Sequence, residues 1–176
     1  DSEVRVVNIC YRGFGTSSDF AINTELLFHT EFATDLDSVI RATRQRFPTS
    51  SVGVYGLSMG SYIGLIRKEP VDFYVADGFY NDPQQVVERI KAQKNEIVPL
   101  PDGTMAIIKM EPATPALIFC ASKDLRTTTS DAKTFAKTND VTLVEYDGEH
   151  LHGFSIMTKV TLGDEYVARV IQFLEA

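Results

Sequence analysis

Apolar residues in this chain recur in short runs separated by amphipathic stretches, the pattern of strands alternating with helices. Arg5 to Cys10 (RVVNIC), Val52 to Tyr55 (VGVY), Val71 to Ala76, Ala116 to Cys120 (ALIFC) and Val141 to Tyr146 are runs of strand length, rich in β-branched and aromatic residues. Leu36, Val39, Ile40, Thr43 and Phe47 fall on one face of a helix that Thr34 would cap and Pro48 would close. An apolar helical pattern follows Gly60 to about Lys68, and Pro83 to Gln93 reads as a helix with Val86, Val87 and Ile90 facing in. Asp131 to Lys137 and Asp164 to Leu174 are two further helices. Ile97 to Ile108 is built around Pro101-Asp102-Gly103 and reads as a small hairpin over 97–108, too apolar for a solvated loop and so expected to cover something. The alternation predicts an α/β fold in one domain over 1–176: a mainly parallel sheet of about five strands with helices on both faces.

In such sheets chemistry gathers beyond the carboxyl ends of the strands, and the polar landmarks of this chain stand there. Tyr11 to Ser18 is a loop of glycine and hydroxyl residues after the first run. The second run leads into Gly56-Leu57-Ser58-Met59-Gly60 and then a helix, so that a serine sits at a sharp strand-to-helix corner; a Cβ at either flanking glycine is expected to crowd it. Asp77 ends the third run, Asp124 follows the fourth, and Asp147-Gly148-Glu149-His150-Leu151-His152-Gly153-Phe154 follows the fifth. A serine hydroxyl needs a base to take its proton and an acid to orient that base. Ser58, Asp124 and His150 supply all three, with His152 as the alternative base and Asp77 as a weaker competitor for the acid. His29, amid Leu27, Phe28 and Phe32, reads as a packed residue. Phe14, Tyr62, Phe79, Tyr80 and Met105 are candidate apolar walls.

Composition narrows the partners. Of 176 residues 44% are hydrophobic and 23% charged, which describes an ordinary globular chain, and the net charge of −7 disfavours nucleic acid or an anionic membrane surface. The two cysteines, Cys10 and Cys120, read as buried reduced thiols. No apolar run is long enough to span a membrane, and a soluble, cytoplasmic protein is the expectation. No metal or organic cofactor is implied.

Tyr11-Arg12-Gly13-Phe14-Gly15, the span from Phe32 to Gly60 with its D-L-x-x-V-I-R, R-F-P and G-x-S-x-G elements, Asp124, and Gly148-Glu149-His150 together resemble the α/β-hydrolase fold superfamily, in particular its esterase-like members with little or no lid. The order Ser, Asp, His is the one such proteins use. The resemblance implies Ser58 as nucleophile, His150 (or His152) as base, Asp124 as acid and the Met59 N–H as one oxyanion donor. It implies an acyl-enzyme route on a small ester or thioester, with peptidase and acyltransferase chemistry left open because they share the triad. The chain departs from the family at its start: three strands usually precede the R-G-x-G turn, and the third carries an oxyanion-binding H-G loop that this chain lacks. Two arrangements would close the sheet: a missing segment, partner chain or second copy fills the gap, or Arg5 to Cys10 pairs with Val52 to Tyr55 and brings Gly13, Phe14 and Gly15 to Ser58 as second donors. The competing reading is a non-catalytic or incomplete hydrolase-fold subunit.

Overall fold

A computed structural model describes residues 4–21, 28–110, 114–156 and 160–176. Its elements are α1 (His29–Arg46), β1 (Gly53–Leu57), α2 (Met59–Ile66), β2 (Phe73–Asp77), α3 (Pro83–Lys94), β3 (Ala116–Ala121), α4 (Thr129–Ala136), β4 (Val141–Tyr146), α5 (His152–Ile156) and α6 (Val160–Leu174). The four strands form one parallel sheet in the order β1-β2-β3-β4. Period-two alternation sends side chains to two cores. Val54, Tyr74, Ala76, Ala116, Ile118 and Cys120 pack with Phe32, Leu36 and Ile40 of α1, Ile63 of α2, and Ala132 and Phe135 of α4. Val75, Leu117 and Phe119 pack on the other face against Tyr166, Val170 and Phe173 of α6. Burial on both faces explains why β2 and β3 are almost wholly apolar.

The sheet is one strand shorter than expected, because Arg5 to Cys10 forms no strand. Val4, Val6 and Val7 are exposed, Val6 to 78%, while the Arg5 guanidinium lies over the Phe47 ring at 4.8 Å and Ile9 and Tyr11 pack against the α1 side of the core. A run of β-formers becomes a strand only where a neighbour accepts its ladder; here the segment runs beside α1 instead. The outer edge of β1 is consequently without a partner strand among the described residues. Cys10 is exposed rather than buried, while Cys120 is buried, and both thiols are free.

The expected hairpin at 97–108 is also absent. Pro101-Asp102-Gly103-Thr104 makes a single turn, closed by the Thr104 N–H and hydroxyl donating to the Pro101 carbonyl. Pro99 and Pro101 remove donors that a ladder would need. The segment is pinned from outside: Asn81 and Ile107 exchange hydrogen bonds at 2.6 and 2.8 Å, and Tyr62 Oη donates to the Met105 carbonyl at 2.8 Å. It lies as a strap over α2 and α3, with Ile107 against Tyr62, Tyr80 and Val86.

Helix α1 begins five residues before the expected Thr34 cap, and Thr34 instead donates its hydroxyl to the Thr30 carbonyl. Asp37, only 7% exposed, ties α1 to the end of α2: its carboxylate accepts the N–H groups of Lys68 and Glu69 at 3.0 and 2.9 Å. Asp37→Ala would remove the charged acceptor of two part-buried N–H groups, and the expected loss is about 1 to 3 kcal/mol, read as a lowered urea midpoint.

Candidate active site

The register brings Leu57, Asp77 and Phe119 side by side and ends β3 and β4 together at Ala121 and Tyr146. Every loop that follows therefore rises at one edge of the sheet. Ser58 stands there between β1 and α2 with φ 48° and ψ −115°, a strained conformation for a residue with a Cβ. Gly56 makes the corner feasible, since a Cβ on it would lie 2.4 Å from the Gly60 carbonyl oxygen. Gly60 itself faces open space, so the crowding expected on both sides of the serine exists on one. The Ser58 N–H is held by the Asp77 carbonyl at 2.9 Å.

The His150 ring lies between Ser58 and Asp124, with Nε2 3.0 Å from Ser58 Oγ and Nδ1 2.6 Å from Asp124 Oδ2. Asp124 is 4% exposed. Its Oδ1 accepts the N–H groups of Arg126 and Thr127 at 2.8 and 3.0 Å, and its Oδ2 accepts the Thr127 hydroxyl at 2.5 Å. Burial works to raise this carboxyl, but the hydrogen bonds from His150, from the Thr127 side chain and from the two backbone N–H groups hold it below the usual carboxylate range. Stability contributed by that depressed pKa is present above the ordinary carboxylate value of about 3.9 and is lost as pH falls through the lower folded-state value. An ionised carboxylate can only accept, so Nδ1 donates to Asp124 and Nε2 keeps its lone pair toward the Ser58 hydroxyl.

His152 lies elsewhere: its ring is tilted against Tyr146 at a centroid distance of 6.2 Å. Asp77 does not contact the His150 ring nitrogens through a hydrogen bond; its Oδ2 accepts the Phe154 N–H. His29 is buried edge-on to Tyr62, and burial pushes its pKa down to about 4.

A cavity of about 210 Å³ opens at Ser58 and His150, walled by Met59, Tyr80 and Thr127, by Pro83, Val86, Val87 and Ile90 of α3, by Val98 of the strap, and by Arg126. Of the five expected apolar walls only Tyr80 lines it; Tyr62 stacks behind Tyr80, Phe79 packs on Phe135, and Phe14 and Met105 are exposed. The inward face of α3 was readable as Val86, Val87 and Ile90, but nothing in the pattern tied it to Ser58. Thr127 carried one signal, an Asp-x-x-Thr spacing suited to a side chain closing on its own loop.

Gly13, Phe14 and Gly15 do not line this cavity. Gly13 and Gly15 border a separate one of about 430 Å³ with Ser17, Asp19, Phe20 and Ala21. The Gly13 N–H donates to the Ser18 carbonyl and the Phe14 N–H to the Tyr11 carbonyl. Arg12 anchors the turn to α1, its backbone N–H and guanidinium all donating to Asp35. Met59, first residue of α2, does line the Ser58 cavity, and its N–H belongs to the helix end whose donors lack intrahelical partners.

No known family model and no curated protein matches this sequence. Solved structures do. The esterase Pf2001 from Pyrococcus furiosus is 18% identical with a TM-score of 0.71, the match covering 94% of this chain and 68% of that one. An esterase from Exiguobacterium antarcticum is 15% identical, with a TM-score of 0.61 and coverage of 94% and 80%. XC6422 from Xanthomonas campestris, described as an α/β serine hydrolase without lid, is 16% identical, with a TM-score of 0.57 and coverage of 90% and 60%. This chain has the α/β-hydrolase fold.

Proposed function

We propose that this protein is a serine hydrolase that cleaves a small carboxylic ester or thioester through an acyl-enzyme. The observation that carries the reading is the continuous relay from Ser58 Oγ through His150 to Asp124, at 3.0 and 2.6 Å, on a strained strand-to-helix corner. Ser58 attacks the carbonyl carbon as His150 Nε2 takes its proton, and the Met59 N–H meets the oxygen as it becomes negative. His150 then returns the proton to the leaving oxygen or sulfur, and water repeats the sequence to release the acid. Asp124 orients the ring and stabilises its protonated form. The apolar wall of α3 and Val98 suits a short acyl group, since the cavity is below the usual size of a pocket for a drug-sized ligand.

A second reading rests on the open edge of β1 and the commitment of the Gly13 and Phe14 amides within their own turn: a hydrolase-fold unit whose oxyanion site is completed by another segment or chain, or which binds without turnover. A missing donor lowers the rate roughly a hundred- to a thousandfold. A fluorophosphonate probe separates the two readings. Labelling of the intact protein that is lost in Ser58→Ala, with hydrolysis of p-nitrophenyl butyrate lost in parallel, is the expected result. A folded wild-type chain that takes no label would overturn the first reading in favour of the second.

A further inference from the structure

Among the described residues that wall the cavity at Ser58, Arg126 is the only one with a permanent charge. Its backbone is committed elsewhere: the N–H donates to Asp124 Oδ1 at 2.8 Å, and the carbonyl accepts Arg89 Nη1 at 2.9 Å. What the residue offers the cavity is therefore its side chain. The residue is half-buried, and its guanidinium has no hydrogen bond or ion pair among the described residues.

The neighbouring charges are already matched. Arg89 closes on Asp131 at 2.5 Å and Lys123 on Asp147 at 2.9 Å. Asp124 accepts from His150, from Thr127 and from two backbone N–H groups. Asp82, at the start of α3, accepts the Gln84 N–H at 3.1 Å and the Gln85 side chain at 2.8 Å. Neither acid turns to Arg126, although the chain carries 24 acidic residues against 17 basic ones. A cation on an apolar wall loses hydration that a partner would offset, and the protein supplies none there. The loop that carries Arg126 is also fastened to α3, through Arg89 and through Gln93, which donates to the Leu125 carbonyl at 2.8 Å. Arg126 thus belongs to the same wall as Val86, Val87 and Ile90, the surface suited to the acyl group.

We propose that Arg126 determines specificity and that the acyl group of the substrate ends in a carboxylate: the substrate is a half-ester or half-thioester of a short dicarboxylic acid. For turnover this rests on the serine-hydrolase reading, which it deepens. The methylenes of the acyl chain lie along α3, and the terminal carboxylate meets the guanidinium through two parallel N–H···O bonds. One water is consumed as the ester bond breaks, and the products are the alcohol or thiol and the free dicarboxylate. The low dielectric of the wall strengthens the pair. The net charge of −7 does not forbid it, because charges beyond about 8 Å are largely screened at physiological ionic strength.

Monoethyl glutarate and its neutral isostere ethyl glutaramate, followed by pH-stat, test the proposal. The wild-type protein is expected to favour the half-ester in kcat/KM by about ten- to a hundredfold, the range of a hydrogen bond to a charged group. That ratio should fall toward one in Arg126→Met and lie between in Arg126→Lys, which keeps the charge and loses the fork. Each ratio is taken within one protein, so a general loss of activity cancels. A wild-type ratio near one, or a ratio that survives Arg126→Met, overturns the proposal. So does a preference for carboxymethyl pentanoate over monoethyl glutarate, since the anion would then belong on the alcohol side. Binding to Ser58→Ala, read from the Thr127 amide by NMR, keeps the inference separable from the hydrolase reading. Monoethyl glutarate is expected to bind at least about tenfold tighter than ethyl glutaramate, and equal affinities overturn the proposal. A wild-type chain that takes no fluorophosphonate label yet shows this difference loses the hydrolase reading and keeps the carboxylate site.

Discussion

His150→Ala is expected to lower kcat/KM for p-nitrophenyl butyrate by about 10⁴-fold or more, while His152→Ala stays within about threefold of wild type. The two histidines are two residues apart and both stood as candidates for the base, so the comparison is internally controlled. His150 Nε2 has the Ser58 hydroxyl at 3.0 Å, and its Nδ1 is turned toward an acid that has only acceptors to offer. Removing the ring leaves Ser58 with no group to take its proton, and a neutral hydroxyl is a poor nucleophile. The His152 ring meets Tyr146 and packs on Gly148, where a Cβ would overlap it. Steady-state kinetics on the three proteins decide the matter. Comparable losses in both variants would mean that the loop as a whole, rather than the His150 ring, carries the effect.

The positions of these residues were legible because each stands where a strand of recognisable composition stops. β4 has the bounds its apolar run suggested, Val141 to Tyr146, and β3 extends the expected run by one residue. Ser58, Asp124 and His150 follow the ends of β1, β3 and β4, and a parallel sheet gathers such ends at one edge whatever the details of packing. The failures have the opposite character. Arg5 to Cys10 has the composition of a strand, but strand formation depends on a neighbour, and residue preference does not report whether one is offered. The segment from Ile97 to Ile108 carries a turn signal that is real at Pro101 to Thr104; the flanking prolines, which argue against a ladder, were the better guide. The expected donors at Gly13 and Phe14 depended on the first strand docking beside β1. Without it, those amides close their own turn. The cavity wall was missed because α3 and the strap approach Ser58 from distant parts of the chain.

Gly56→Ala is expected to destabilise the protein by about 3 kcal/mol, and Gly60→Ala to leave it unchanged or up to about 1 kcal/mol more stable. The two glycines flank Ser58 symmetrically in sequence, and sequence alone treats them alike. In space they differ. A Cβ at Gly56 would meet the Gly60 carbonyl oxygen at 2.4 Å, its carbon at 2.6 Å and the Ser61 nitrogen at 2.8 Å. These are backbone atoms in the first turn of α2, so relief requires moving the helix off the strand rather than rotating a side chain. Beyond its chain neighbours and the backbone of its own helix, Gly60 has no heavy atom within 4 Å of its Cβ position, and it lies inside a helix, where alanine is preferred to glycine. At a chain of this length 3 kcal/mol corresponds to a fall in Tm of about 6 to 12 °C. Activity should fall further than stability alone explains, because a shift of α2 moves the Met59 N–H and alters the φ and ψ that aim the Ser58 hydroxyl at His150. Thermal unfolding and fluorophosphonate labelling rate, measured on both variants at a temperature where each is folded, separate the two effects. A Gly56→Ala protein that labels at the wild-type rate would mean that the corner holds Ser58 in place by some means other than the close approach of helix and strand.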